Sequence, residues 1–126
     1  MGYCPPVTWL LVGVAGAAGA VTRYGIARAL PITDFPWATF VVNVTGSFLL
    51  GIVLTWGVAG RLPADATAAV AVGFLGAYTT YSTFSWELLS LGRRDQLALA
   101  AGYLALSVVT GVLAAWLGFR LALIFE

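Results

Sequence analysis

The sequence contains no histidine and no lysine, and Cys4 is its only cysteine. General acid–base and nucleophilic catalysis rely mostly on these residue types. Zinc and iron sites need clusters of ligands, and the five acidic residues form neither such a cluster nor a pair at catalytic spacing. A single cysteine also excludes a disulfide within the chain. We therefore expect a protein that is not an enzyme.

Charged residues are scarce along the whole chain. Only 9% of the 126 residues are charged, against about a quarter in a soluble domain, and 61% are hydrophobic. Three runs carry no charge at all, at residues 35–60, 66–86 and 96–119. Each run is long enough for a helix to cross the hydrocarbon core of a bilayer, which takes about 20 residues. This composition indicates an integral membrane protein.

A fourth, less regular segment at the start of the chain is uncharged up to Thr22, meets Arg23 and continues apolar to Ala27. With the three charge-free runs, it predicts an all-α membrane protein with four transmembrane helices. We expect these helices at about residues 7–29, 36–59, 64–91 and 96–123, joined by three short connections. Together they form a single domain over residues 1–126. Four helices are too few to surround a wide pore or a large ligand, so we expect an oligomer.

The arginines give the four helices almost no preferred orientation. Arg61 and Arg120 would lie on one side of the membrane, and Arg28, Arg93 and Arg94 on the other. An excess of Lys and Arg normally marks the cytoplasmic side, and two against three is nearly balanced. The charges are equally compatible with insertion in both orientations, which would permit an antiparallel homodimer, and with a weakly biased single orientation.

The predicted second helix carries a polar face. Thr39, Asn43, Gly46 and Ser47 lie on one side of it at helical spacing. The carboxamide of Asn43 offers two donor hydrogens and one acceptor group, and inside lipid it needs partners for them. The spacing leaves two roles open for Asn43, as a hydrogen bond between helices or as a donor that faces a substrate.

The stretch GAYTTYSTFSWE, from Gly76 to Glu87, is unusually polar for a membrane segment. Seven of the eight residues from Tyr78 to Ser85 carry a hydroxyl. Glycines followed by such a cluster, here Gly73 and Gly76, are typical of a broken helix, whose unwound carbonyls can hold a small ion. The alternative is a continuous helix whose hydroxyls bond back to its own carbonyls.

Hydrogen-bond donors dominate the polar groups on the predicted helices. A second polar line, formed by Tyr103, Ser107 and Thr110, runs along the fourth helix. Rings of acids favour cations, whereas hydroxyls, amides, the positive field of Arg23 and the weakly positive edges of aromatic rings suit an anion. A narrow path with few full charges suits a small ion. The residue types therefore indicate a pathway for a small anion.

Three motifs carry a resemblance to a known family: GAAGAVTRY, FVVNVTGSFLLG and GFLGAYTTYSTFSWE. With them, the chain resembles the Fluc (CrcB) fluoride channels over nearly its whole length. The resemblance implies a subunit with a broken third helix, assembled as an antiparallel dual-topology homodimer with two fluoride pathways. It also implies a structural sodium ion at the dimer centre. The implied function is passive export of cytoplasmic fluoride across the plasma (inner) membrane.

The resemblance also implies roles for individual residues. Asn43 matches the asparagine of the fluoride pathway, and Tyr81 and Phe84 match the two aromatics whose edges meet fluoride. Gly76 and Thr79 match the residues whose backbone carbonyls bind sodium. The vestibule arginine, the hydroxyls of the polar track and the acid at the end of the third helix correspond to Arg23, Thr80, Ser82, Thr83, Tyr103, Ser107 and Glu87.

One position departs from the family's pattern, because Tyr81 stands where the first aromatic is usually Phe. Its phenol either holds fluoride more tightly or points away from it. Two other functions stay open: a small dual-topology drug exporter, which needs an acid in helix 1 where this chain has Arg23, and a non-conducting partner subunit. The expected partners are fluoride, the lipid bilayer and a second subunit in a homodimer or heterodimer, with no nucleic acid.

Overall fold

The computed structural model describes residues 6–125, so Cys4 lies outside the described residues. All regular structure in this range is helical, without a strand, which confirms the all-α class. The elements in chain order are α1 (Pro6–Ala29), α2 (Trp37–Val58), α3 (Ala64–Ala68), a π-helical segment (Ala69–Leu75), α4 (Gly76–Tyr78), α5 (Tyr81–Arg93) and α6 (Leu97–Ile124). The predicted span at 64–91 thus consists of several shorter pieces.

Helices α1, α2 and α6 are each long and apolar enough to cross a membrane. Their outer faces expose large apolar side chains, among them Trp9, Val21, Leu97 and Trp116. A water-soluble monomer rarely exposes apolar patches of this extent, whereas lipid hydrocarbon accommodates them. The chain is therefore a multi-pass membrane protein.

Helices α2 and α6 form the most extensive helix pair of the fold. Gly51 of α2 lies against the backbone of Ala115, and Gly118 of α6 lies against the carbonyl oxygen of Phe48. A Cβ atom at either glycine would overlap the facing backbone. Because packing drives helix association in lipid, small residues that let two backbones approach stabilise such a pair.

Helix α1 packs in the same way against the π-helical segment. Gly19 faces the backbone of Phe74, and Gly73 lies close to the backbone of α1. At the N-terminal end of α1, the buried hydroxyl of Thr8 donates to the carboxylate of Asp65 in α3. These contacts hold the chain that leads into α4 at a defined position beside α1.

The glycine contact between α2 and α6 predicts a stability difference between two alanine substitutions in α6. Gly118→Ala forces a methyl group onto the Phe48 carbonyl and should lower the free energy of unfolding by about 1–3 kcal/mol. Gly102→Ala is the matched control, because no atom lies within 4 Å of a Cβ there. It should be neutral or stabilising by about 0.5–1 kcal/mol. Thermal unfolding in detergent measures both, and equal midpoints would contradict the close approach.

Candidate functional site

The backbone leaves the helical conformation between α4 and α5. Thr79 (φ −81°, ψ 158°) and Thr80 (φ −150°, ψ 113°) are both extended. The hydroxyl of Thr80 caps α5 by accepting a hydrogen bond from the Thr83 amide over 3.2 Å. Its oxygen also lies 3.0 Å from the Thr83 hydroxyl and 3.3 Å from the Ser82 hydroxyl. Threonine is a favoured N-cap because its oxygen satisfies an amide that the start of a helix leaves free.

The carboxamide of Asn43, on α2, binds both backbone groups of Thr80. The Thr80 amide donates to Asn43 Oδ1 over 2.8 Å, and Asn43 Nδ2 donates to the Thr80 carbonyl over 3.2 Å. One turn further along α2, Gly46 lies so close to the methyl group of Thr79 that a side chain there would collide with it. Helix α2 therefore satisfies and positions the extended residues.

A cleft of about 350 Å³ opens beside these extended residues. Residues from α2, α4, α5 and α6 contribute to its wall. The cleft brings together seven of the residues that the resemblance singles out: Asn43, Gly76, Thr79, Thr80, Tyr81, Phe84 and Ser107. The hydroxyl of Ser107 is buried and has no hydrogen-bond partner within residues 6–125. Since buried polar atoms are normally paired, this hydroxyl is available to a ligand in the cleft.

A second cavity, of about 220 Å³, shares Thr80 with the cleft. Arg23 of α1, Thr39 of α2 and Thr83 of α5 are among its lining residues, and none of the lining residues is acidic. The Nε atom of Arg23 is buried without a hydrogen-bond partner in the described part of the chain. We call this space the arginine cavity. Its one full charge is the guanidinium, so it favours anions.

The carboxylate of Glu87 is bound by two hydroxyls and lines neither space. Thr39 Oγ1 donates to Oε1 over 2.7 Å, and the hydroxyl of the fully buried Tyr103 donates to Oε2 over 2.8 Å. Tyr103, assigned to the polar track, is not among the residues that line the cleft. Sequence reasoning assigned no role to Thr39. Its position one turn before Asn43, on the same polar face of α2, is the feature that could have indicated one.

The two assigned aromatic side chains differ sharply in exposure. Phe84 is 8% exposed and packs edge-to-face with Tyr103 at 5.1 Å between ring centroids. Tyr81 is 81% exposed, and its ring centroid lies 6.2 Å from that of Phe84. Both line the cleft, whereas Ser82, between them, lines neither the cleft nor the arginine cavity. The single chain therefore supplies one buried ring and one exposed ring to the same space.

Known proteins resemble this chain over most of its length. The sequence model of the family described as "CrcB-like protein, Camphor Resistance (CrcB)" matches residues 10–119. The chain is 45% identical to the fluoride-specific ion channel FluC 1 of Symbiobacterium thermophilum, over 91% of this chain and 97% of that protein. It is 40% identical to a fluoride-specific ion channel FluC of Thermus thermophilus, over 90% of this chain and 91% of that protein. Matches of this length and identity mean that the chain belongs to the CrcB family.

Proposed function

We propose that the protein is a fluoride-selective ion channel that passively exports cytoplasmic fluoride across the plasma membrane. Its relatives are named fluoride-specific ion channels. The observation that carries the proposal is the position of Thr80, which lines both the cleft and the arginine cavity. A single hydroxyl-bearing residue thus connects two spaces whose polar groups are mainly donors, as a small anion requires when it leaves water.

The proposed pathway runs from the arginine cavity past Thr80 into the cleft. Arg23 attracts the anion, and the Thr83 hydroxyl, which accepts from Thr80, is the first donor that it meets. In the cleft, Ser107 offers an unpaired hydroxyl. Asn43 Nδ2 carries two hydrogens, and one of them is bound by the Thr80 carbonyl. The second hydrogen is the donor that we assign to fluoride.

Aromatic edges complete the pathway, and two further hydroxyls support it from behind. The edges of Phe84 and Tyr81 are weakly positive and can contact an anion without binding it too tightly to leave. Ser82 orients the Thr80 hydroxyl, with 3.3 Å between the two oxygens. Tyr103 packs on Phe84 and holds the Glu87 carboxylate away from the cleft.

We further propose an antiparallel dual-topology homodimer with one pathway on each side. The nearly balanced arginines favour insertion in both orientations. The exposed ring of Tyr81 and the open side of the cleft fit a surface that a second copy covers. A heterodimer with a related chain would use the same surface.

A structural sodium ion at the dimer centre fits the chemistry of the extended segment. Gly76 and Thr79 both line the cleft. Gly76 begins the short helix α4, and Thr79, directly after that helix, is extended. Backbone carbonyls at such unwound positions are the usual ligands of Na⁺ inside membrane proteins. When bound, the ion supplies a positive charge that carbonyls of two subunits can share.

Fluoride flux from reconstituted protein tests the proposed function. Liposomes loaded with potassium fluoride should release fluoride once a potassium ionophore relieves the voltage, and liposomes loaded with potassium chloride should retain chloride. Ion-selective electrodes follow both. Chloride release at a comparable rate would contradict selectivity. An absence of flux from this chain alone would favour the non-conducting partner subunit.

Replacement of the buried aromatic ring tests the pathway. Phe84→Ile removes the ring edge and should lower fluoride flux about fivefold, because such aromatic contacts are worth about 1 kcal/mol. Phe119→Ile makes the same change at an exposed position on α6, away from the cleft, and should leave the flux unchanged. Equal flux from the two variants would remove Phe84 from the pathway. Gel filtration checks that both remain folded.

Accessibility of a terminal tag tests the dual topology. If the chain inserts in both orientations, a tag at the C-terminus should be accessible from each side of the membrane on about half of the copies. Labelling of intact and of permeabilised cells measures the two fractions. A single orientation for all copies would exclude the antiparallel homodimer.

A further inference from the structure

Side-chain oxygens take two backbone amides out of the helical ladder at the extended segment. The Thr80 amide donates to Asn43 Oδ1 over 2.8 Å, and the Thr83 amide donates to Thr80 Oγ1 over 3.2 Å. In an uninterrupted α-helix each amide would donate to the carbonyl four residues earlier. Those two carbonyls belong to Gly76 and Thr79. The side chains of Asn43 and Thr80 therefore bind the amides that would otherwise donate to these carbonyls.

The residue directly before Thr80 still makes an α-helical hydrogen bond. The amide of Thr79 still donates to the Leu75 carbonyl over 2.9 Å, as in a regular helix. The hydroxyl of Thr79 donates to the same carbonyl over 2.8 Å. The α-helical pattern is therefore present at the Thr79 amide, and the bonds made by Asn43 and Thr80 begin at the next residue.

The Asn43 bond is held in place by the packing of α2. Asn43 Nδ2 donates to the Thr80 carbonyl, which fixes the rotation of the carboxamide. Gly46 lies against the Thr79 methyl group one turn away, so α2 cannot move closer or turn without a collision. A carboxamide anchored at both ends competes well for the Thr80 amide, since its oxygen is already at hydrogen-bond distance.

We propose that Asn43 and Thr80 are positioning residues for a sodium ion, because they release the Gly76 and Thr79 carbonyl oxygens to bind it. This inference rests on the proposed function, of which the sodium site is one part. Hard cations prefer oxygen ligands, and residues 6–125 contain no group of three His, Cys, Asp or Glu side chains that could hold a metal. The backbone carbonyl oxygens beside the extended segment are the ligands that we assign to the ion, and the neighbouring side chains decide whether they are available.

The same two residues thereby couple the cation site to the anion pathway. Asn43 and Thr80 line the cleft together with Gly76 and Thr79. The Asn43 oxygen binds the Thr80 amide and so leaves the Gly76 carbonyl free for sodium. One Nδ2 hydrogen of the same carboxamide stays free for fluoride. A substitution that keeps the oxygen and loses the hydrogens should therefore separate the two effects.

Sodium-dependent thermal stability of the purified full-length protein tests the inference. Sodium chloride is titrated against an organic-cation chloride at constant ionic strength, and the sodium midpoint of the stabilisation is read. Asn43→Leu removes the acceptor of the Thr80 amide. It should raise this midpoint about tenfold, which is the change in affinity that the loss of one hydrogen bond can cause. Asn43→Asp keeps an acceptor for the Thr80 amide but loses the bond to the Thr80 carbonyl, so it should raise the midpoint less than Asn43→Leu does while fluoride flux falls.

A second pair of variants tests the other diverted amide. Thr80→Val removes the oxygen that binds the Thr83 amide and should also raise the sodium midpoint about tenfold. Thr80→Ser keeps that oxygen and should restore the midpoint. Thr55→Val is the matched control, because the Thr55 hydroxyl donates to the Gly51 carbonyl within α2, away from the extended segment. This variant should behave like the unsubstituted protein.

The outcomes separate this inference from the channel function. Unchanged sodium midpoints in Asn43→Leu and Thr80→Val would overturn the inference, whatever the fluoride flux. Fluoride flux without any sodium response would also overturn it and leave the channel intact. A sodium response that Asn43→Leu weakens more than Asn43→Asp does would support it even if no flux were found. Should Asn43→Leu fail to fold, the comparison of Thr80→Val with Thr80→Ser decides alone.

Discussion

A backbone amide inside a bilayer cannot exchange a lost hydrogen bond for one to water. This constraint governs the two extended residues between α4 and α5, where the helical ladder stops. Side chains satisfy part of it: Asn43 binds the amide and the carbonyl of Thr80, and the Thr80 hydroxyl binds the Thr83 amide. The cleft and the arginine cavity both border Thr80, so the shape of the site depends on these bonds.

The glycine contacts between helices matter for the same reason, although they lie away from the polar groups. Hydrogen bonds weaken steeply with distance and angle, and Asn43 reaches Thr80 only if α2 stays at its present depth and rotation. Close packing of Gly51 and Gly118 fixes α2 against α6, and Gly46 fixes it against Thr79. A few small residues thus control the geometry of a polar site from the apolar part of the fold.

On the proposed pathway, an anion would meet a positively charged group first. Arg23 lines a cavity that has no acidic lining residue. Glu87 is bound by Thr39 and Tyr103, which replace water around its carboxylate. Thr39 belongs to both arrangements, because it also lines the arginine cavity. The fold therefore keeps a carboxylate close to the proposed pathway without letting it line the space that the anion enters.

The sequence by itself determined the all-helical class, the membrane environment and the family, because charge-free runs and local motifs are properties of consecutive residues. It also indicated that Asn43 and the hydroxyl cluster belong to a site. Only the tertiary structure decided their partners. The spacing left open whether Asn43 bonds another helix, and the structure pairs it with the backbone of Thr80. The structure also shows that Tyr103 and Thr39 both bind Glu87, a contact that the sequence did not indicate. Helical spacing specifies which side chains share a face, but the packing of glycines against backbone determines which faces meet and at what distance.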